Sequence, residues 1–189
     1  MDKSRVEPVS KAYRLLNPGS VVIVSVGDGE KDNLFTVTWN MPARTDPGMV
    51  ALLSGKRHYS YSFIARTGEL GINVPDASMV DAVLGCGRTS GKDGKDKFER
   101  FGLTRQKAAR IKAPMVKEAV ANLECRVCQV VDLGASSLLI AQILEASAAD
   151  KHFENGEWTF DNGLRLLHHL GGDRFCTSEK AINAQKLND

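Results

Sequence analysis

Two stretches of this sequence combine cations, hydroxyls and glycines closely enough to do chemistry. In "SGKRHYSYS", residues 54–62, Lys56, Arg57 and His58 directly precede the hydroxyls of Tyr59, Ser60, Tyr61 and Ser62. The stretch ends a strand-like run and opens a helix-like one. A helix start presents unpaired N–H groups and a partial positive charge. Cations and hydroxyls added there suit a phosphate, and a solvated basic turn that caps the helix accounts for the same residues. In "SGKDGKDKFER", residues 90–100, Gly91 and Gly94 allow close approach of backbone to a ligand. Lys92 and Lys95 read as surface lysines of a solvated loop. Lys97 differs, because burial of the adjacent Phe98 would restrict its direction.

Other reactive residues point less clearly to a site. "CRVC" (125–128) has the spacing of a metal or dithiol pair. It lies in a strand-like run, where residues three apart face opposite sides, and no second pair accompanies it. Buried thiols are the expected state. Of the adjacent His168 and His169, at most one should face a given site. G-x-S-x-G, P-loop, H-E-x-x-H and G-x-G-x-x-G motifs are all missing from the chain.

These residues need elements to hold them. Residues 8–16 suggest a short helix that stops at "NPG". "SVVIVSV" (20–26) and "DNLFTVTWNMP" (32–42) read as a hairpin across the polar turn "GDGEKD". In the second arm, Asn33, Phe35, Val37 and Trp39 share one face by parity, and Leu34, Thr36 and Thr38 share the other. Both faces mix polar and apolar groups, which is unusual for a strand with one solvated side. Strands also fit 47–55 and 69–75, and a helix fits 57–67. Residues 76–87 form a helix capped by Asp76 or Ser78. A Gly/Lys loop then runs into a short helix at 88–102, and the segment around Pro114 is irregular or helical. "NLECRVCQVVDLG" and "SSLLIAQILEASA" are long strands, and the tail ends in a Gly-Gly loop. The pattern predicts about six strands and three or four short helices, mostly hairpin-connected, in an antiparallel sheet closed or nearly closed.

The 189 residues suit one domain, taken as 1–189, with a core that needs no staples. Basic and acidic side chains balance to a net charge of +2, which argues against nucleic-acid binding. No apolar run approaches the ~20 residues of a membrane span. The first residues lack the apolar core of a secretory signal, and four cysteines fit reduced, mostly buried thiols. These features place the expected location in the cytoplasm.

In order, "DNLFTVTWNMP", "DPGMVALLSGKRHYSYSFI", "ELGINVP", "CGRTSGKDGKDKF" and "APMVKEAVANLECRV" resemble the flavin reductase-like FMN-binding split-barrel family, its flavoredoxin branch included. The resemblance runs from "YRLLNPGSVVIVSV" to "LLHHLGGDRF". It implies a mainly β (α+β) fold: an antiparallel split β-barrel with flanking short helices, pairing as a homodimer. It also implies non-covalent FMN. The backbone of Thr36, Val37 and Thr38 would read the polar edge of the flavin, with Asn33 and Trp39 against it and Met41 at the rim. Ser54, Lys56, Arg57, His58 and Ser60 would hold the phosphate. Ser90, Gly91 and Lys97 would approach from the other loop, and His169 and Phe175 from the C-terminal one. Many relatives carry a histidine before the penultimate long strand; this chain has Ser136 and Ser137, which removes a titratable group.

The activity so implied is that of an oxidoreductase. It would move electrons from NADH or NADPH through FMN to free flavin, a metal centre or another protein. No catalytic side chain is needed, since the flavin carries the chemistry. A flavoredoxin-type carrier with little NAD(P)H activity, and a non-redox module for another phosphorylated ligand, are the alternative readings.

Overall fold

β-Branched and aromatic runs set the architecture, described by a computed structural model for Met1 and residues 4–184. Nine main strands occur in chain order. β1 (Val22–Gly27), β2 (Asp32–Val37), β3 (Asn40–Arg44) and β4 (Met49–Gly55) come first. β5 (Glu69–Val74), β6 (Ala121–Leu133), β7 (Ser136–Ala148), β8 (Leu166–Gly171) and β9 (Arg174–Ser178) follow. Three α-helices accompany them: α1 (Tyr59–Thr67), α2 (Val80–Arg88) and α3 (Lys97–Arg100). The N-terminal helix predicted at 8–16 is a 3-10 helix, Val9–Leu16.

Strands β1 to β7 form one antiparallel sheet in the order β2-β1-β5-β6-β7-β4-β3. Its edge strands are therefore β2 and β3, which are consecutive in sequence. Only Thr38 and Trp39 join them, a reach of at most roughly 10–11 Å between Val37 and Asn40. The edges converge at this crossing without pairing, so the ladder stays open where the sequence predicted closure or near closure. The crossing also divides the single strand expected over 32–42. Residues 32–37 pair with β1, whereas Asn40 pairs with Leu52 of β4 and the Trp39 carbonyl accepts from Leu53 N–H at 3.0 Å.

Cover on both sides explains the mixed faces of β2. Phe35 and Val37 lie in the inner core with Val24, Leu52, Leu70, Leu139 and Phe63 of α1. Leu34 packs on the opposite side with Ile23, Val83, Cys86 and Phe98. Burying such side chains favours folding by about 1.5–3 kcal/mol each. Thr36 sits on the second face because its hydroxyl donates to the Val83 carbonyl of α2. Asp76, rather than Ser78, caps the helical segment leading into α2, accepting from Ser78 N–H at 2.9 Å.

Three details sharpen the expected pattern. The segment around Pro114 is the irregular one of the two forms the sequence allowed. Arg105–Gln106 pairs with Met115–Val116, and the buried Glu124 carboxylate accepts from Ala109 N–H at 2.8 Å and Arg110 N–H at 2.5 Å. Cys125 is buried and Cys128 exposed, on opposite sides as their spacing in a strand implies, so only one of the two is a buried thiol; Cys128 is also the extra residue of a bulge between the Val127–Ala141 and Gln129–Ile140 pairs. The tail forms a β8–β9 hairpin through Gly171 and Gly172, whose φ values of 119° and 61° suit glycine. No helix of the described residues is long and apolar enough to cross a membrane.

Candidate functional site

The passage from β4 to α1 is compact. His58 N–H donates to Gly55 O at 3.1 Å, and a Cβ at Gly55 would lie 3.1 Å from the His58 ring. The turn therefore delivers Arg57, His58 and Ser60 to the start of α1. From the opposite side comes the loop that follows α2, held by Lys97. Its buried ammonium donates to the carbonyls of Leu34 (2.7 Å), Cys86 (2.9 Å) and Thr89 (2.7 Å). Three N–H bonds meet three carbonyls, so the group is fully satisfied. Burial pushes the Lys97 pKa below the usual lysine range. Lys97 fastens the end of α2 to β2.

A cavity of about 280 Å³ lies between these two elements, against β2. Arg57, His58 and Ser60 line one wall; Arg88, Ser90 and Gly91 line the other. Lys92 also borders it, although the sequence suggested a purely solvated lysine. No Asp or Glu is among the lining residues. Asn33 is buried at the floor, its side-chain N–H donating to Ser60 Oγ at 2.7 Å. Gly91 passes so close that a Cβ there would sit 2.6 Å from Asn33 Oδ1 and 2.6 Å from the Tyr59 ring.

The free edge of β2 adds backbone groups. The Leu34 carbonyl points away from β1, to Lys97. N–H and C=O groups alternate in direction along an antiparallel strand, so those of Thr36 face the same open edge. Thr36 lines the cavity. Cations, hydroxyl donors and an unpaired strand edge thus surround one recess, an arrangement that suits an anionic group joined to a planar polar body.

Asn33, Thr36, Arg57, His58, Ser60, Ser90, Gly91 and Lys97 all gather at this cavity. Ser54 and Lys56 do not line it. Ser54 is buried, with no partner for its hydroxyl among the described residues, and Lys56 turns to Asp132 at 2.6 Å. The Val37 side chain belongs to the inner core. Thr38, Trp39 and Met41 line a separate apolar groove of about 530 Å³ with Tyr13, Leu16 and Leu53. Trp39 meets Tyr13 edge-on, with centroids 5.4 Å apart. Parity grouped Asn33 with Trp39, but β2 ends at Val37, so the two residues face different recesses.

The adjacent histidines diverge. His169 Nε2 lies 3.1 Å from Gly172 O, and its ring lies 5.2 Å from that of Phe175. Neither His169 nor Phe175 borders the 280 Å³ cavity. His168 bonds Ser178 Oγ at 2.5 Å and borders an apolar cavity of about 550 Å³ with Val22, Val74 and Trp158. Arg88 and Thr89, with Phe35, Cys86 and Gly87, line the cavity without having been assigned to it from the sequence, and Tyr59, singled out there for its hydroxyl, contributes its ring. Arg88 was detectable only by its position two residues before Ser90-Gly91.

YddH of Escherichia coli strain K12 is 31% identical over 188 residues, covering 96% of this chain and 99% of its own. A crystal structure described as an FMN-binding domain of a flavin reductases-like enzyme, from Shewanella baltica, superposes with a TM-score of 0.80 at 27% identity. It covers 96% of this chain and 97% of that one. Flavoredoxin from Methanosarcina acetivorans shares the fold with a TM-score of 0.78 at 24% identity, covering 97% of this chain and 95% of that one. The profile of the flavin reductase like domain matches residues 14–174, and the chain belongs to that family.

Proposed function

We propose that the protein binds FMN in the cavity between α1 and the α2–α3 loop and works as an NAD(P)H-dependent flavin oxidoreductase. The carrying observation is the cavity itself: Arg57, His58, Arg88 and Ser60 converge there with no acid, beside the open backbone edge of Thr36. These residues fit the cofactor. The cationic end suits a phosphate, since charge-assisted hydrogen bonds to phosphate are the strong ones. Thr36 backbone groups, on the free edge of β2, suit the polar rim of the isoalloxazine. Gly91 lets its loop pack close against Asn33 and Tyr59, and Lys97 holds the loop in place. When bound, FMN supplies the hydride and electron transfer. The flavin reductase-like family and the FMN-binding Shewanella baltica neighbour support this cofactor.

The same reading takes the chain as a single split-barrel domain, the split lying at the Thr38–Trp39 crossing. It places the protein in the cytoplasm, where its cysteines stay thiols. It also makes the molecule a homodimer. The apolar groove of Trp39, Met41, Tyr13 and Leu16 supports pairing, with Trp39 50% exposed and Leu16 87% exposed.

Anaerobic addition of NADH or NADPH to the FMN-loaded protein tests the activity. Bleaching of the flavin absorbance by either nucleotide is expected. Bound flavin that no nicotinamide reduces would instead indicate a carrier fed by protein partners.

A further inference from the structure

Arg88 stands on the wall of the cavity opposite Arg57, at the last residue of α2. Its guanidinium already has a partner: Nη2 donates to Asp173 Oδ1, in the turn between β8 and β9. Both side chains are largely solvent-exposed, at 59% and 63%. Exposed ion pairs of this kind hold weakly. A phosphate monoester carries about −1.5 to −2 charge at neutral pH and three acceptor oxygens, and so outmatches a single carboxylate for a guanidinium. No acidic residue in the cavity lining competes for it.

We propose that Arg88 contacts the anionic end of the cofactor, and that an anion in the cavity displaces Asp173 from it. Occupancy of the site is thereby coupled to the β8–β9 turn. The inference rests on the FMN reading above and adds a cofactor-contacting residue and a linkage to it. The turn is a connected unit. Asp173 follows Gly171 and Gly172, and the Gly172 carbonyl meets His169 Nε2 at 3.1 Å. The His169 ring in turn lies against Phe175. When Arg88 leaves Asp173, this unit loses its ionic tie to α2, and the segment carrying His169 opens more readily to solvent.

The experiment titrates flavin-free wild-type, R88Q and D173N proteins with FMN, with inorganic phosphate as competitor. Hydrogen exchange is followed at residues 174–176, where β9 pairs with β8. R88Q should weaken FMN by roughly tenfold or more, the size of one lost charge-assisted contact, and blunt competition by phosphate. D173N should tighten FMN by about two- to fivefold, because it removes a weak rival for the guanidinium. Exchange at 174–176 should rise when FMN binds the wild type; in D173N it should be high beforehand and unchanged by FMN. Melting curves of the flavin-free variants confirm folding, and D173N decides the matter should R88Q fail to fold. A wild type that binds FMN beside a D173N variant of equal or weaker affinity overturns this inference and leaves the FMN reading intact. A folded R88Q of wild-type affinity does the same. A wild type that binds no FMN overturns both.

Discussion

At position 91, a hydrogen in place of a methyl group lets the loop pack close against Asn33 and Tyr59. A Cβ there would collide with Asn33 Oδ1 and the Tyr59 ring, each at 2.6 Å. Gly91→Ala should therefore push Asn33 off Ser60 and narrow the recess. We expect FMN to bind at least about tenfold more weakly, equivalent to roughly 1.4 kcal/mol. The flavin-free variant should fold but melt below the wild type, because the clash falls on the buried Asn33 side chain. A flavin titration beside a melting curve checks both, and unchanged affinity would show that the ligand lies elsewhere. Much of this site was legible residue by residue. Glycines, cations and hydroxyls in "SGKRHYSYS" and "SGKDGKDKF" marked the two walls before any geometry was known. What each side chain does there was not legible, because partners come from distant segments. Lys56 is drawn away by Asp132, and Lys97 spends its protons on three carbonyls of β2 and the α2 end.

Elements show the same division between local and distant information. The Asp28–Lys31 turn joins β1 to β2 and reaches α1 through Arg66, which donates to the Asp28 carboxylate. The Lys31 backbone N–H, then Arg66, holds the Asp28 carboxyl down to about 2 from its ordinary 3.8. Its folded value is depressed, so its contribution is present above the unfolded value and is lost as pH falls through the folded one. Asp28→Asn should thus melt below the wild type at about neutral pH, and the difference should vanish between about pH 4 and pH 2. Thermal melts across that range measure it, and a difference independent of pH would dissociate the turn from this ionisation. The turn itself was readable, since Gly and Asp cluster between two β-branched runs. The crossing at Thr38–Trp39 was not, because leaving one sheet edge for the other depends on strands far away in sequence. Parity therefore failed for Trp39. The bulge at Cys128 likewise depends on the register with β7, which no local pattern encodes.

Across the whole molecule, order and spacing of motifs carried the family, while closure and assembly lay beyond them. The open ladder between β2 and β3 leaves Trp39, Tyr13, Leu16 and Leu53 around an apolar groove. If this face joins two copies, Leu53→Asp should give a folded monomer, because a carboxylate buried in an apolar interface is costly. Sedimentation of wild type and variant checks this; equal masses would remove the face from any interface. We propose that the recess walled by Arg57, His58, Ser60 and Arg88 holds FMN by its phosphate. Titrating the flavin-free protein with FMN and with riboflavin tests it most directly, since the two ligands differ only in that group. FMN should bind, and riboflavin should bind at least about tenfold more weakly, the loss of one charge-assisted contact or more. Equal affinity for the two, or no binding of either, would contradict it.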